Sequence, residues 1–181
     1  MNNAFSADRK KAVSTEKPSQ LTIEVVIVID IFPMEKGEEQ ETYELIVRVF
    51  QKYVAPVYSE NGVAKFLSML SPDGLSEMRS GKSSFVILAK EKSKIVGMLS
   101  VINESHLALI FVDPQNQRKG IGKNLIDEAI KKCLNRNPDL TAVTVSSSPN
   151  SKSFYEQAGF EVIGDEINEE GMCFTPMRKL I

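Results

Sequence analysis

A chain of 181 residues suits one domain with its own core, with room for a short tail. It carries 22 basic and 24 acidic residues, a net charge of −2, and 42% hydrophobic residues, the balance of a globular protein. This charge argues against nucleic acid as the main partner, so an anion must bind at a local cluster of positive groups. With one histidine, two cysteines and no CxxC pair, we expect no metal site.

Two further features bear on the compartment. The two cysteines, Cys133 and Cys173, lie far apart in the sequence and indicate a reducing environment. Residues 1–20 are polar, without the apolar core of a signal peptide, and the apolar run Val25–Phe32 is interrupted by Asp30 and too short to cross a bilayer. We therefore expect a cytoplasmic protein without membrane contact, with a flexible tail over residues 1–20 and one domain over residues 21–181.

The first half of that domain begins with a strand and continues with helices. Leu21–Pro33 is rich in Val and Ile and predicts a strand, whose earlier part could pair with a second copy to form a homodimer. An apolar stripe predicts a helix over Glu38–Tyr53, and a second helix follows with Val63 and Leu70 on its buried face. Ser71-Pro72-Asp73-Gly74 is typical of a turn, and Leu75–Met78 could add a short turn of helix after it.

The second half alternates strands with helices. Strands are predicted over Ser84–Ala89, Ile95–Ile102, Leu107–Val112 and Thr141–Val145. Helices are predicted from Ile121 to near Asn137-Pro138 and over Ser151–Gln157, and a closing hairpin over Phe160–Ile163 and Met172–Met177. This order indicates an α+β fold, an α/β three-layer arrangement with a mixed central sheet.

The segment Gln117–Lys123 follows an apolar strand and opens a helix. Gly120 and Gly122 let a ligand approach the backbone, and the first N–H groups of a helix point outward with partial positive charge. Arg118, Lys119 and Lys123 add full charges beside them. A helix start of this kind binds phosphate, so the segment predicts a site for a pyrophosphate or another polyanion.

Spacing separates three phosphate-binding motifs at this segment. A Walker A loop requires glycine where Gln117 stands, and a dinucleotide fingerprint requires a third glycine where Leu125 stands. The remaining pattern is Gln/Arg-x-x-Gly-x-Gly/Ala after a strand that ends in Val-x-Pro, and it fits Gln117-Arg118-Lys119-Gly120-Ile121-Gly122 behind Val112-Asp113-Pro114. In this it resembles the GNAT superfamily of N-acetyltransferases.

A second motif agrees with this resemblance. Phe154-Tyr155-Glu156-Gln157-Ala158-Gly159-Phe160 is similar to the Tyr-x-x-x-Gly-Phe signature of the family, one helix and one strand downstream of the loop. The resemblance covers roughly residues 28–181. It implies the GNAT fold and transfer of an acetyl group from acetyl-CoA to a primary amine by direct attack in a ternary complex.

The resemblance also implies where acetyl-CoA binds. The pantetheine arm would lie along the backbone of Ile110, Phe111 and Val112, where the sheet splays, commonly through a β-bulge. The pyrophosphate would bind the loop and helix start, and a residue after the next strand would contact the cofactor: Asn150, or Ser148 as the alternative, with Ser153 facing the same region. The loop residues are Gln117, Arg118, Lys119, Gly120, Ile121, Gly122 and Lys123.

For catalysis, the resemblance implies that the Tyr155 phenol protonates the departing CoA thiolate, whereas packing beside Phe154 and Phe160 is the structural alternative. The general base is open: Glu104 and His106 stand where the third strand of the sheet run begins, and ordered water is another solution. Tyr53, Tyr58 and Glu60 are candidate walls of the acceptor pocket.

Three other functions fit the same motifs. The enzyme could transfer another acyl group, such as succinyl or propionyl. The chain could instead be a CoA-binding sensor or partner module without catalysis, which the presence of Tyr155 disfavours, or a protein that binds a different anion at the same loop.

Overall fold

The computed structural model of the protein describes residues 29–181, and a mixed β-sheet runs through them. Its strands are β1 (Ile29–Pro33), β2 (Phe85–Glu91), β3 (Lys94–Ile102), β4 (His106–Val112), β5 (Ala142–Ser147), β6 (Glu161–Val162), β7 (Ile167–Glu169) and β8 (Met172–Leu180). They are ordered β1-β2-β3-β4-β5-β8-β6, and β7 pairs with β8. Among these pairs β4 and β5 are parallel and the others are antiparallel.

Helices cover both faces of the sheet. They are α1 (Glu39–Tyr53), α2 (Glu60–Met69), α3 (Pro72–Ser80), α4 (Ile121–Arg136) and α5 (Lys152–Gln157). One hydrophobic cluster joins α4 and α5 to one face, and a second joins α1 and α3 to the other. This three-layer arrangement confirms the predicted α+β class. No helix within residues 29–181 combines the length and apolar character that a membrane crossing requires.

The sequence pattern explains which faces of α1 and β3 are buried. In α1 the buried residues Leu45, Ile46, Val49 and Phe50 recur at helical spacing and form one stripe against the sheet. In β3, Val96, Leu99 and Val101 enter one cluster and Ile95 and Met98 enter the other, so this central strand is buried on both faces. Full burial of each such aliphatic or aromatic side chain stabilises the fold by about 1.5–3 kcal/mol.

Two segments differ from the sequence prediction. Ser71–Gly74 is the start of α3 rather than a free turn, because Ser71 Oγ accepts a hydrogen bond from Gly74 N (3.0 Å) and Pro72 occupies the first helical position. The closing hairpin contains an additional strand, β7, which pairs with β8, while β6 pairs further along β8. The predicted partner-pairing segment before residue 29 lies outside the described residues.

Strands β4 and β5 pair only where β4 begins and then diverge, which leaves a gap in the sheet. Their parallel pairing is limited to His106 with Thr144 and Leu107 with Val145. On its other edge β4 pairs with β3 on both sides of a register shift, at which Ala108 is the extra residue of a β-bulge. The backbone of residues 108–112 therefore has no strand partner on its β5 side within the described chain. We call this diverging part of the sheet, at residues 108–112, the splay. It begins two residues before Ile110–Val112, the segment predicted to bind the pantetheine arm, and includes that segment.

Candidate active site

A cavity of about 480 Å³ extends from the start of α4 along β4 into the splay. Ten of the twelve residues that were expected to bind the cofactor line it. They are Ile110, Phe111, Val112, Gln117, Arg118, Gly120, Ile121, Gly122, Lys123 and Asn150. The structure therefore brings the predicted phosphate loop, the bulged strand and the segment after β5 to one place.

Two expected contacts lie outside this lining. Lys119 is exposed in the loop, and Ser153 is exposed on α5. The turns of α5 instead direct Phe154 and Gln157, which are three residues apart, toward the cavity. Ser153 precedes Phe154 by one residue and so lies on a different side of the helix.

The loop has the backbone conformation and charge of an anion site. Gly120 caps α4 with a left-handed φ of 79°, and a Cβ added there would meet no atom within 4 Å. Arg118 also has a left-handed φ, 61°, which costs a non-glycine residue about 1 kcal/mol or more and is frequent at ligand-binding sites. Lys123 lies 3.8 Å from Asp127, a weak exposed pair that leaves the ammonium available to an anion.

Three polar side chains, those of Asp113, Asn116 and Gln117, anchor the loop through four hydrogen bonds. The Asp113 carboxylate, which is 8% exposed, accepts hydrogen bonds from Arg48 of α1 (2.8 Å) and from Gln115 N (3.0 Å). The Asn116 amide donates to Glu91 (2.9 Å), and the Gln117 amide donates to the Val112 carbonyl (3.1 Å). Burial alone would raise the pKa of Asp113, but the hydrogen bonds from Gln115 N and Arg48 outweigh it and lower the pKa.

The opposite wall of the cavity was largely missed by sequence reasoning. It includes Val49 and Val54 near the end of α1, with Tyr53 between them, and Ser151 at the start of α5. The Asn150 amide donates to the Tyr53 carbonyl (2.9 Å), so it links this wall to the segment after β5. The apolar period of α1 could have indicated Val49, but only the pairing of distant segments places the wall beside β4.

A smaller cavity of about 80 Å³ lies in the splay itself. It shares Val54, Ile110, Phe111 and Ser151 with the larger cavity, so the two adjoin. Its other lining residues are Tyr58, Phe66, Ala108, Leu109, Ser146, Ser148 and Tyr155. This is where a group carried along β4 and a group entering from the α2 side would meet.

Tyr155 reaches this smaller cavity from α5. The side chain is 4% exposed and packs edge-on against Phe154 and Phe160, with ring centroids 5.1 Å and 5.5 Å away. Burial raises the pKa of its phenol well above the usual range, so the group is a protonated phenol at neutral pH. The packing beside Phe154 and Phe160 is observed, and it is compatible with the predicted acid role because Tyr155 also lines the cavity.

His106 and Glu104 lie at the other end of β4. His106 Nδ1 is 2.9 Å from Thr144 Oγ1, where β4 and β5 are still paired, and burial lowers the pKa of the imidazole. Ile110 lies four positions further along the strand, about 13 Å away. Glu104 is exposed in the β3–β4 turn. Neither residue belongs to the lining of the two cavities.

The candidate acceptor walls divide between the two cavities. Tyr53 lines the larger cavity and Tyr58 the smaller, whereas Glu60 is exposed at the start of α2. The turn between β7 and β8 holds α2 in place: Ser59 N donates to the Gly171 carbonyl (3.0 Å), and Lys65 pairs with Glu170 (2.9 Å).

Within residues 29–181, His, Cys, Asp and Glu side chains form no group of three that could hold a metal ion.

Comparison with known proteins agrees with this geometry. A family model described as an acetyltransferase (GNAT) domain matches residues 54–181. The chain belongs to the GNAT acetyltransferase family. The match begins at the end of α1 and includes the loop, the splay and Tyr155, so the motifs that carried the resemblance lie inside it.

The relatives are distant in sequence and similar in fold. The peptidyl-lysine N-acetyltransferase YjaB of Salmonella typhimurium is 29% identical over 96 residues, which are 52% of this chain and 62% of that protein. A GCN5-related N-acetyltransferase from Rhodopseudomonas palustris has a TM-score of 0.71 at 21% identity, over 84% of this chain and 95% of its own. PaiA N-acetyltransferase from Thermoplasma acidophilum, solved with coenzyme A, has a TM-score of 0.69 at 22% identity, over 85% and 99%. The two structures confirm the GNAT fold.

Proposed function

We propose that this protein is an N-acetyltransferase that transfers the acetyl group of acetyl-CoA to a primary amine by direct attack in a ternary complex. The observation that carries the proposal is the continuous lining from the positive helix start to the splay, which contains the predicted loop at one end and adjoins Tyr155 at the other. The coenzyme A in the structure of the Thermoplasma relative supports the choice of donor.

The lining residues fit acetyl-CoA at both ends of the two adjoining cavities. The space beside Gly120 and the charges of Arg118 and Lys123 would hold the pyrophosphate on the first N–H groups of α4. The unpaired edge of residues 108–112 offers backbone N–H and C=O groups to the pantetheine amides, as a neighbouring strand would. A free N–H of this edge would stabilise the charge that develops on the thioester oxygen.

The transfer then needs one proton removed and one supplied. The free amine nitrogen attacks the thioester carbon, the new C–N bond forms and the C–S bond breaks. The sulfur leaves as a thiolate and takes the proton of the Tyr155 phenol, while the nitrogen loses its proton to water. Burial keeps the Tyr155 phenol protonated at the start of each cycle, and after the donation the phenolate takes a proton back from the solvent.

Titration calorimetry with acetyl-CoA and with desulfo-CoA tests the donor. Binding of both in the micromolar range is the expected result, because the contacts of the loop are independent of the thioester. No binding of either at high micromolar concentration would overturn the proposal. Turnover, measured as thiol release over a panel of amines, distinguishes an enzyme from a CoA-binding sensor, and the same assay with succinyl-CoA and propionyl-CoA distinguishes the acyl group.

Replacement of Tyr155 by Phe tests the acid. We expect kcat to fall by roughly 10²-fold or more while the affinity for acetyl-CoA changes less than about twofold, because the ring packing is kept and the proton is lost. Tyr43→Phe is the matched control, since Tyr43 packs against the α1 cluster and lies outside both cavity linings. Equal turnover in the two variants would show that Tyr155 only packs and is not the acid.

The cytoplasmic location, the homodimer and the domain bounds stay predictions.

A further inference from the structure

Arg48 of α1 is joined to the start of the phosphate loop, Gln117–Lys123, although it lines neither cavity. Its Nη2 donates to Asp113 Oδ2 at 2.8 Å, between residues 65 positions apart in the sequence. Asp113 follows the last residue of β4, and it too is outside both cavity linings. The pair can therefore influence a ligand in the larger cavity only through the residues that follow Asp113.

The Asp113 carboxylate uses both of its oxygens. While Oδ2 accepts from Arg48, Oδ1 accepts from Gln115 N at 3.0 Å and caps the short 3₁₀ turn Pro114–Asn116. A guanidinium is a donor of fixed geometry, so it holds the carboxylate in the orientation that the cap requires. Because the Asp113 side chain is only 8% exposed, water is poorly placed to substitute for Arg48.

The capped turn leads directly into residues that face the ligand. Asn116 donates to Glu91 at 2.9 Å, and the Gln117 amide donates to the Val112 carbonyl at 3.1 Å. Arg118 then has a left-handed φ of 61°, a conformation that the surrounding structure must hold. Gln117 and Arg118 both line the larger cavity. A chain of bonds thus runs from Arg48 to the charged part of the predicted pyrophosphate site.

In this chain of bonds α1 is the fixed end and the loop is the end that can move. The apolar stripe of α1 is buried against the sheet, Glu41 accepts from Ile95 N at 3.1 Å, and Glu39 pairs with Arg79 at 3.2 Å. Residues 117–120 are exposed and belong to neither hydrophobic cluster. Loss of the Arg48 contact should therefore release the loop and leave α1 in place.

Building on the proposed function, we infer that Arg48 is a positioning residue for acetyl-CoA, which acts through Asp113 to hold the phosphate loop in its binding conformation before the ligand arrives. A preformed loop spares the ligand the free-energy cost of ordering it, so Arg48 contributes to affinity without touching the ligand. Since Arg48 is absent from the lining of the splay, the effect falls on donor binding.

Calorimetry with acetyl-CoA measures this contribution. Arg48→Gln should raise the dissociation constant about fivefold, the equivalent of one net hydrogen bond, and Arg48→Lys should recover part of the loss because it keeps the charge. Arg79→Gln is the matched control: it breaks the other arginine pair of α1, outside both cavity linings, and should leave the constant unchanged. Equal constants for Arg48→Gln and Arg79→Gln would overturn the inference.

A double-mutant cycle tests whether Arg48 acts through Asp113. Asp113→Asn keeps an oxygen for Gln115 N but removes the charge that Arg48 binds. In the Asp113→Asn background, Arg48→Gln should weaken acetyl-CoA binding by less than about twofold, because its partner is already lost. An undiminished loss in that background would show that Arg48 acts by another route.

ADP, which has a pyrophosphate but no pantetheine arm, tests whether the effect lies at the loop. Its dissociation constant, measured by competition with acetyl-CoA, should rise in Arg48→Gln by the same factor as that of acetyl-CoA. An unchanged constant for ADP would assign the effect to the α1 wall of the cavity. Failure of ADP to compete in the wild type would show that the loop does not bind the pyrophosphate. Either result would overturn the inference.

The outcomes separate this inference from the proposed function. Acetyl-CoA binding that is equally tight in the wild type and in Arg48→Gln removes the inference and leaves the acetyltransferase intact. Binding without thiol release on any amine removes the catalytic proposal, while the effect of Arg48 on binding is still measured. Absence of acetyl-CoA binding to the wild type at high micromolar concentration removes both.

Discussion

Gly62 and Gly74 occupy equivalent positions in two helices and are expected to respond oppositely to alanine. Each is the third residue of its helix, and each donates its N–H to the hydroxyl of a serine N-cap, Ser59 at 3.1 Å and Ser71 at 3.0 Å. Alanine at this position should stabilise either helix by about 0.5–1 kcal/mol, because glycine loses more backbone entropy on folding.

The atoms around Gly62 make alanine destabilising there, whereas those around Gly74 leave room for it. A Cβ on Gly62 would overlap the carbonyl group of Gly171 and lie 2.9 Å from Met172 N, all backbone atoms of the β7–β8 turn. A Cβ on Gly74 would have Ser71 Oγ as its nearest neighbour, at 3.3 Å. Forcing an extra carbon into a packed contact costs about 1–3 kcal/mol, so Gly62→Ala should lose about 1–2 kcal/mol of stability and Gly74→Ala should gain up to about 1 kcal/mol.

Urea unfolding followed by circular dichroism measures both variants. The midpoint of Gly62→Ala should lie roughly 1 M below that of Gly74→Ala, given a slope of about 1–3 kcal/mol per molar urea. Because α2 also carries Phe66 into the smaller cavity, Gly62→Ala should raise KM for the acceptor more than KM for acetyl-CoA. If the two variants unfold at the same midpoint, the close contact between α2 and the β7–β8 turn does not contribute to the stability of the fold.

Three further outcomes follow from single contacts. Ser100→Ala should keep or raise stability by up to about 1 kcal/mol in thermal unfolding, because Ser100 Oγ is buried without a hydrogen-bond partner in residues 29–181. Asp113→Asn should lose about 1–2 kcal/mol at pH 7 through its bond to Arg48. Since the pKa of Asp113 is lowered on folding, this difference should be full above the unfolded-state pKa and vanish as the pH falls through the folded-state pKa, which urea midpoints against pH measure. Gly122→Ala places a Cβ 2.9 Å from the Phe154 ring and should raise KM for acetyl-CoA at nearly unchanged kcat, which steady-state kinetics measure.

The loop and the helix start that follows it were predictable because their signal is local. Glycine spacing, adjacent charges and the apolar stripe of the following helix all lie within Gln117–Leu134, and the structure keeps them together in α4 and its N-terminal loop. Ser71–Gly74 shows the limit of local patterns. The residues that favour a turn, Pro72 and Gly74, are equally acceptable in the first turn of a helix, and the residues that follow decide between them.

Other features depend on contacts that are distant in sequence. The phase of α5 is set by the short 3₁₀ turn Pro149–Ser151 before it, so the side of the helix on which Ser153 lies could not be counted from the sequence. The separation of His106 from the cavities depends on where β4 stops pairing with β5, which is a property of two strands more than thirty residues apart. The three-residue β7 is too short for an alternating pattern to be visible.

The two ends of the cavity system differ in charge, and this difference assigns them different parts of the reaction. At the α4 end, Arg118 and Lys123 would bind phosphates far from the thioester, and binding energy gained there can position the reacting carbonyl without tightening contacts at it. At the splay end, the lining residues are aliphatic, aromatic or hydroxyl-bearing, and the acceptor amine would meet the thioester there. The bond between Asp113 and Arg48 ties α1, which walls the larger cavity, to the start of the phosphate loop. The attacking nitrogen still has a proton to lose after the C–N bond forms, and since His106 lies outside both cavity linings, water would take that proton in the proposed mechanism.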